Sequence, residues 1–422
     1  MVLCERRTLI RTMVILASLG VVLGISISIS PFLIQHSASY VPRHEVDRVV
    51  ELAGVYPLSI SEDRFRKHLG SFEGCPRKID NPDLTVLATV AMFDELGYPS
   101  RFHIDRRKLI SFVLHVKEGY KDVPFHNWSH GFSAGHFAFL LTRELGLKSM
   151  LSDARAMGFL IGALCHDLGH PGTTSNFQKL TNSEIANRFQ VPSLLEKYHL
   201  DWTRRVLEIF ENDILENVSP EEKIEANETI EQVILATDLV QHFDRVTEMA
   251  NISKAGFNSS NTHHVSLVVH MLSTAFDLSD QTKDFDNVRE VAYLVCKEFY
   301  AQGIRERSMG LTPDAWMDPE RADVVVDQIK FIESVSRPLF EILHLIFPKS
   351  QGLVNCLSAM STNLKKWYAF DTALNVRDIP RKGVPISILK DEQLLKMTDE
   401  IYHATEEGAT STDSTPADGS SS

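Results

Sequence analysis

Cysteine is scarce, with five in 422 residues, at positions 4, 75, 165, 296 and 356. They are odd in number and far apart, which excludes a disulfide framework and a Cys-x-x-Cys zinc site. Basic charge is also short. Forty-three Lys and Arg stand against 56 Asp and Glu, a net charge of −13, so a nucleic-acid partner is not expected. No stretch sustains an alternation of apolar and polar residues, and the short run Val324 to Val326 sits inside a helical pattern. No internal repeat is visible. Neither a sheet nor a repeat architecture is therefore expected. With 43% apolar and 23% charged residues, the chain is not collagen-like, wholly disordered or a multi-span membrane protein.

Charge is absent altogether from Thr12 to Ile34, 23 residues preceded by Glu5, Arg6, Arg7 and Arg11. As a helix this stretch covers roughly 30 Å of hydrocarbon. A single membrane-anchoring helix is the expected reading. A cleaved signal peptide, with the small residues of His36-Ser37-Ala38-Ser39 at the cleavage site, and a buried core helix are the alternatives. Residues 1–40 are thus assigned to an anchor, with its helix at about 12–34. From residue 41 the pattern turns helical. Trp202, Val206, Ile209 and Phe210 fall on one helical face. Asn81-Pro82-Asp83 and Ser219-Pro220-Glu221-Glu222 both read as helix starts, each an N-cap followed by Pro at the first helical position. The expectation is one all-α domain over 41–380. Residues 381–422 are expected to be an acidic, Ser/Thr-rich disordered tail. From Asp391 onward eight acidic residues and one lysine carry −7 of the net charge, so the acidity says little about the domain.

Seventeen histidines are many for this length, and two segments place a pair four residues apart. They are Phe125-His126-Asn127-Trp128-Ser129-His130 and Cys165-His166-Asp167-Leu168-Gly169-His170. In a helix, residues four apart share a face, so each pair could aim both imidazoles into one site. Imidazole and carboxylate suit zinc, manganese or iron, while carboxylate and water suit magnesium. One such pair alone reads as packing or surface. Two of them, the second beside the apolar run from Gly158 to Cys165, need partners that a metal supplies. His103, His115, His136, His263, His264 and His270 lack such neighbours and read as surface or satisfied core groups.

His-Asn-Trp-Ser-His followed by His-Asp-Leu-Gly-His-Pro-Gly resembles the catalytic domain of class I cyclic-nucleotide phosphodiesterases, a branch of the HD metal-hydrolase superfamily. The resemblance continues through residues 193–199, 234–243, 276–283, 297–303 and 327–333, in family order. The animal branch with Asp-Leu-Ser-Asp-Gln-Thr-Lys, whose members commonly accept both cAMP and cGMP, is the nearest in flavour. The resemblance implies a compact multi-helix HD-type domain and two divalent metal ions. Zinc would take the tighter site, on His130, His166, Asp167 and Asp277, and magnesium or manganese the second, bridged by Asp167. His170, Glu196 and Thr237 match residues that hold metal-bound waters. His126 matches the proton donor to the leaving O3′. Gln328 matches the amide that reads the purine edge, and Phe331 and Val295 the two sides of the base clamp. Phe299 and Leu239 would line the pocket. Asp280 is placed beside the base, where cAMP-selective relatives typically carry Asn.

The implied activity is hydrolysis of cAMP, cGMP or both to 5′-nucleoside monophosphates near a membrane. The partners are the cyclic nucleotide and a lipid bilayer, and a homodimer is compatible with the resemblance. An HD hydrolase for other nucleotides and a catalytically silent binding scaffold are the alternatives. Gln328 with Phe331 disfavours the first, and intact His126 and metal ligands disfavour the second. Three positions depart from the family pattern. Ser175 stands where Asn or Gln is usual, Gly169 replaces a frequent Asp, and Tyr198 stands where His is common. A short basic N-terminus favours an outside C-terminus, whereas the nucleotide pool and the unpaired cysteines favour a cytosolic domain.

Overall fold

Helix ends are set by short polar side chains that satisfy the first free backbone N–H groups. Asn81 accepts from Asp83 and Leu84, and Ser219 from Glu222, as their Pro-containing signatures predict. The computed structural model describes residues 41–54, 58–189 and 192–412. The expected span at 12–34 lies outside them. Among the described residues no helix is long and apolar enough to cross a membrane.

The described chain is helical, with no strand among the described residues. The first helices are α1 (Arg43–Ala53), α2 (Asp63–Leu69), α3 (Pro82–Glu95), α4 (Tyr98–Phe102), α5 (Arg106–Gly119), α6 (Trp128–Glu144) and α7 (Asp153–Cys165). Next come α8 (Ser175–Leu180), α9 (Glu184–Arg188), α10 (Leu194–Leu207), α11 (Pro220–Leu235), α12 (Leu239–Ala255) and α13 (Thr262–Asp277). The series closes with α14 (Phe285–Ser308), α15 (Val324–Phe331), α16 (Arg337–Ile346), α17 (Gln351–Val376) and α18 (Glu392–Thr412).

Helices α6 and α7 are buried almost all round, which matches their near-continuous apolar sequence. They form the centre of the larger core, with α3, α5, α11 and α13 around them. Gly158 lets α7 and α11 approach closely, since a Cβ there would lie 2.6 Å from the Ala226 carbonyl oxygen. A second core joins α14, α15, α17 and α18 through Val288, Ala292, Val325, Ile329, Trp367, Phe370 and Leu394.

Two expectations change here. The apolar face over Trp202 to Phe210 is shorter than expected. Helix α10 stops at Leu207, and Phe210 is exposed under the Lys108 ammonium group, 4.4 Å from the ring centroid. The acidic tail also does not begin as disorder. Residues 386–390 form a 3₁₀ turn and α18 follows, with Leu389, Leu394 and Thr398 buried. Leu394, Met397 and Ile401 recur at helical spacing and pack into the second core, while Lys365–Glu406 and Lys366–Asp399 ion pairs flank them. The acidic composition describes the outward face of this helix.

Candidate active site

Neither histidine pair lies on one helical face: the first straddles the start of α6, and the second lies wholly past the end of α7. The second pair begins just past Cys165, the last residue of α7, and His126 precedes α6. Asn127 caps α6, accepting from Ser129 N–H at 3.0 Å and donating to Val123 and Pro124 carbonyls. The pairs therefore split. His130 and His166 turn to one cluster, and His126 and His170 stack on each other with ring centroids 4.0 Å apart. Gly169 makes the turn possible. Its φ is +75°, and a Cβ there would lie 2.6 Å from Trp202 Nε1, which accounts for glycine at this position.

In the first cluster His130 Nε2 lies 3.0 Å from His166 Nε2, 3.1 Å from Asp277 Oδ1 and 3.3 Å from Asp167 Oδ2. His166 Nε2 is 3.2 Å from Asp167 Oδ2 and 3.3 Å from Asp277 Oδ1. One donor atom from each of the four residues falls within 4.8 Å of the others. His166 Nδ1–H donates to the Ala163 carbonyl at 3.0 Å, which leaves Nε2 with its lone pair toward the cluster. Two imidazoles and two carboxylates converging beside Phe125 and Phe276 fit a divalent metal ion.

The second group is built around Glu298 of α14, 172 residues from His126. Its Oε1 lies 2.5 Å from His126 Nδ1, and its Oε2 accepts from the backbone N–H groups of Phe125 and His126. Burial works against a charged His126. The Glu298 hydrogen bond and the Asp167 and Asp277 carboxylates outweigh it, so the imidazole titrates above its ordinary value. His170 goes the other way. Burial, and then the charge on His126, hold it well below its ordinary value. Its Nδ1 accepts from Gly172 N–H at 3.1 Å. Of the two stacked rings, His126 is therefore the more basic.

His199, one turn beyond Glu196 on α10, donates Nδ1–H to the Leu168 carbonyl at 2.7 Å and brings Nε2 to 3.6 Å from Asp167 Oδ1. Burial pushes it down to about 4. Glu196 has a buried Oε2 without a hydrogen-bond partner. Burial, with Asp238 nearby, pushes its carboxyl up to about 7. Thr237, just ahead of α12, donates to the Ile234 carbonyl at 2.8 Å and leaves its oxygen lone pairs free. Leu239 begins α12, half-buried.

Val295 and Phe299 sit four apart on α14, beside the face that carries Glu298. Phe299 meets Trp316 edge-on at 4.8 Å. Gln328 and Phe331 lie three apart on α15, which packs against α14 through the second core. Gln328 Oε1 is buried without a partner. Asp280 does not stand in an open pocket. It is buried, paired with Arg77 through two nitrogens and bonded by Asn287 at 3.3 Å. Burial would raise its carboxyl, but Arg77 holds it below the usual carboxylate range. Sequence reasoning missed Glu298, His199 and Arg77. His199 and Glu298 had a local signal, since both fall inside the matched segments 193–199 and 297–303, whereas Arg77 lies outside every such segment.

A profile of the 3′5′-cyclic nucleotide phosphodiesterase family matches residues 125–357. The chain belongs to this family. Among its relatives is the dual 3′,5′-cyclic-AMP and -GMP phosphodiesterase 11A of Takifugu rubripes, 34% identical over 292 residues, which are 68% of this chain and 32% of that protein. The high affinity cGMP-specific 3′,5′-cyclic phosphodiesterase 9A of Drosophila melanogaster is 33% identical over 263 residues, 62% of this chain and 17% of that one. The chain thus spans a third or less of the length of these curated relatives. Its fold is shared with the phosphodiesterase domain of Salpingoeca rosetta rhodopsin phosphodiesterase, at 26% identity and a TM-score of 0.69, over 81% of this chain and 98% of that domain.

Proposed function

We propose that the chain is a membrane-anchored 3′,5′-cyclic-nucleotide phosphodiesterase that hydrolyses cAMP and cGMP to the 5′-monophosphates. The observation that carries this is the pairing of two groups in a family member. A four-residue cluster able to hold a metal ion lies beside an imidazole hydrogen-bonded to a buried carboxylate. His130, His166, Asp167 and Asp277 would hold zinc at the tighter site, with magnesium or manganese at a second site shared through Asp167. Metal ions held by these residues would supply a hydroxide nucleophile at neutral pH and would neutralise phosphoryl charge.

The chain's own residues do the rest. Glu298 takes the Nδ1–H of His126, so Nε2–H is free to protonate the departing O3′. A positioned acid of this kind contributes about 10²–10⁴-fold. His170 and His199 converge on Asp167 and, with Glu196 and Thr237, would hold ordered water there. Val295, Phe299 and Phe331 supply apolar and aromatic walls for a planar base. The unpartnered Oε1 of Gln328 is the group that meets the purine edge. A flipped amide satisfies adenine or guanine. With Asp280 held by Arg77, no other motif residue favours one orientation.

The test is hydrolysis of cAMP and cGMP by the purified chain, with and without a chelator. Both should be cleaved, with kcat/KM within roughly tenfold of each other, and chelation should abolish both. Gln328→Ala should weaken both, guanine at least as much as adenine. No hydrolysis of either nucleotide by metal-loaded protein refutes the reading. The uncharged stretch from Thr12 to Ile34 supports the anchor, and the nucleotide pool and the unpaired cysteines favour a domain in the cytosol. Full-length protein should partition with membranes, and protein lacking residues 1–40 should be soluble and active.

A further inference from the structure

The segment just before α3 reaches the metal cluster from outside the family-matched residues. Arg77, in the 3₁₀ turn Pro76–Lys78, is buried with its partner, at 9% side-chain exposure against 6% for Asp280. Its Nε lies 2.9 Å and its Nη2 2.8 Å from Asp280 Oδ2. The same Nη2 lies 3.3 Å from His130 Nδ1, the ring nitrogen opposite the one that faces the cluster. The guanidinium also rests over Phe125, 5.0 Å from the ring centroid. One planar cation therefore touches a metal-ligand imidazole and, three residues after Asp277, the turn that carries a second ligand. The segment is held there independently. The buried Lys283 ammonium donates to the Phe72 carbonyl at 2.6 Å, and Lys78 pairs with Asp284 at 2.9 Å.

We propose that Arg77 is a positioning residue for metal binding, clamping His130 and the Asp277–Asp280 turn in the arrangement that lets the four ligands converge. The fork geometry matters. Five donors in one plane serve a carboxylate bidentately and still reach a third group, which a lysine ammonium cannot do. A consequence is that the working unit begins ahead of residue 72, not at the first family-matched residue. This inference rests on the metal-dependent reading of the site.

The test uses the full-length, zinc-loaded protein and reads zinc affinity by competition with a chromogenic chelator, beside far-UV circular dichroism. Arg77→Gln should bind zinc about 10–100-fold more weakly while its helicity is retained. The double variant Arg77→Gln/Asp280→Asn leaves no unpaired carboxylate buried, and it decides the matter if the single variant unfolds. It too should bind zinc more weakly. Arg77→Lys keeps the charge but not the fork and should recover only part of the affinity. Wild-type zinc affinity in folded Arg77→Gln, or in the folded double variant, overturns the proposal. A purely structural role would lower the melting temperature and leave zinc affinity in place. If the wild-type protein itself neither holds zinc nor hydrolyses cyclic nucleotide, the functional reading fails instead.

Discussion

Glu298→Gln isolates the acid from the rest of the site. The replacement keeps shape, and its amide oxygen can still accept from the backbone N–H groups of Phe125 and His126, as Oε2 does now. Only the charge facing His126 Nδ1 at 2.5 Å is lost. The amide NH₂ then faces Nδ1, which becomes an acceptor, and the ring is left neutral with its proton on Nε2. A neutral imidazole is a far weaker acid than imidazolium. A buried hydrogen bond between charged groups is worth about 1.5–3 kcal/mol, which corresponds to a rate loss of about 10–150-fold. The sign of the pH effect follows from the working form. His126 acts protonated, and Glu298 raises its pKa, so activity is present below that pKa and falls as pH rises through it. Without the carboxylate the fall moves to lower pH, and part of the lost rate returns in acid. The assay is kcat for cAMP across pH 5 to 9, with zinc content measured in parallel. An unchanged pH profile, or a loss of zinc equal to the loss of rate, would refute the assignment of Glu298 to His126.

Asp277→Asn should abolish hydrolysis and deplete bound zinc while the circular dichroism stays helical, because a neutral amide is a poor replacement for a carboxylate on a divalent ion. Gly169→Ala places a side chain at φ +75° and against Trp202. Left-handed backbone and overpacking together should cost about 2–4 kcal/mol, read by urea unfolding. Leu394→Ala, at a fully buried position of α18, should cost about 2–5 kcal/mol. No change in unfolding midpoint would mean that α18 does not pack on the second core.

Much of the helical framework is legible locally, since a cap and its N–H partners lie within three residues of each other. Asn81 and Ser219 announce α3 and α11 without tertiary information. The apolar run from Gly158 to Cys165 likewise announces α7 as a central helix, because a helix apolar on all sides has nowhere to go but inside. The histidine spacing marks the site but not its wiring. Four residues mean one face only within a helix, and here α6 begins inside the first pair while α7 ends ahead of the second. Composition misled at the C-terminus, where an average over acidic and small residues concealed the stripe of Leu394, Met397 and Ile401.

The sequence by itself determined that the domain is helical, that its chemistry lies at two His-rich segments, and that a family of phosphodiesterases shares them. Those are properties of neighbours in the chain. The tertiary structure decided which imidazole is the more basic, which four side chains converge, and where Asp280 spends its charge. Each of these turns on a partner remote in sequence: Glu298 for His126, Asp277 for His166, Arg77 for Asp280. Electrostatic and hydrogen-bond energies fall off over a few ångströms of space, so only folding, which brings such residues within about 3 Å, can choose among them.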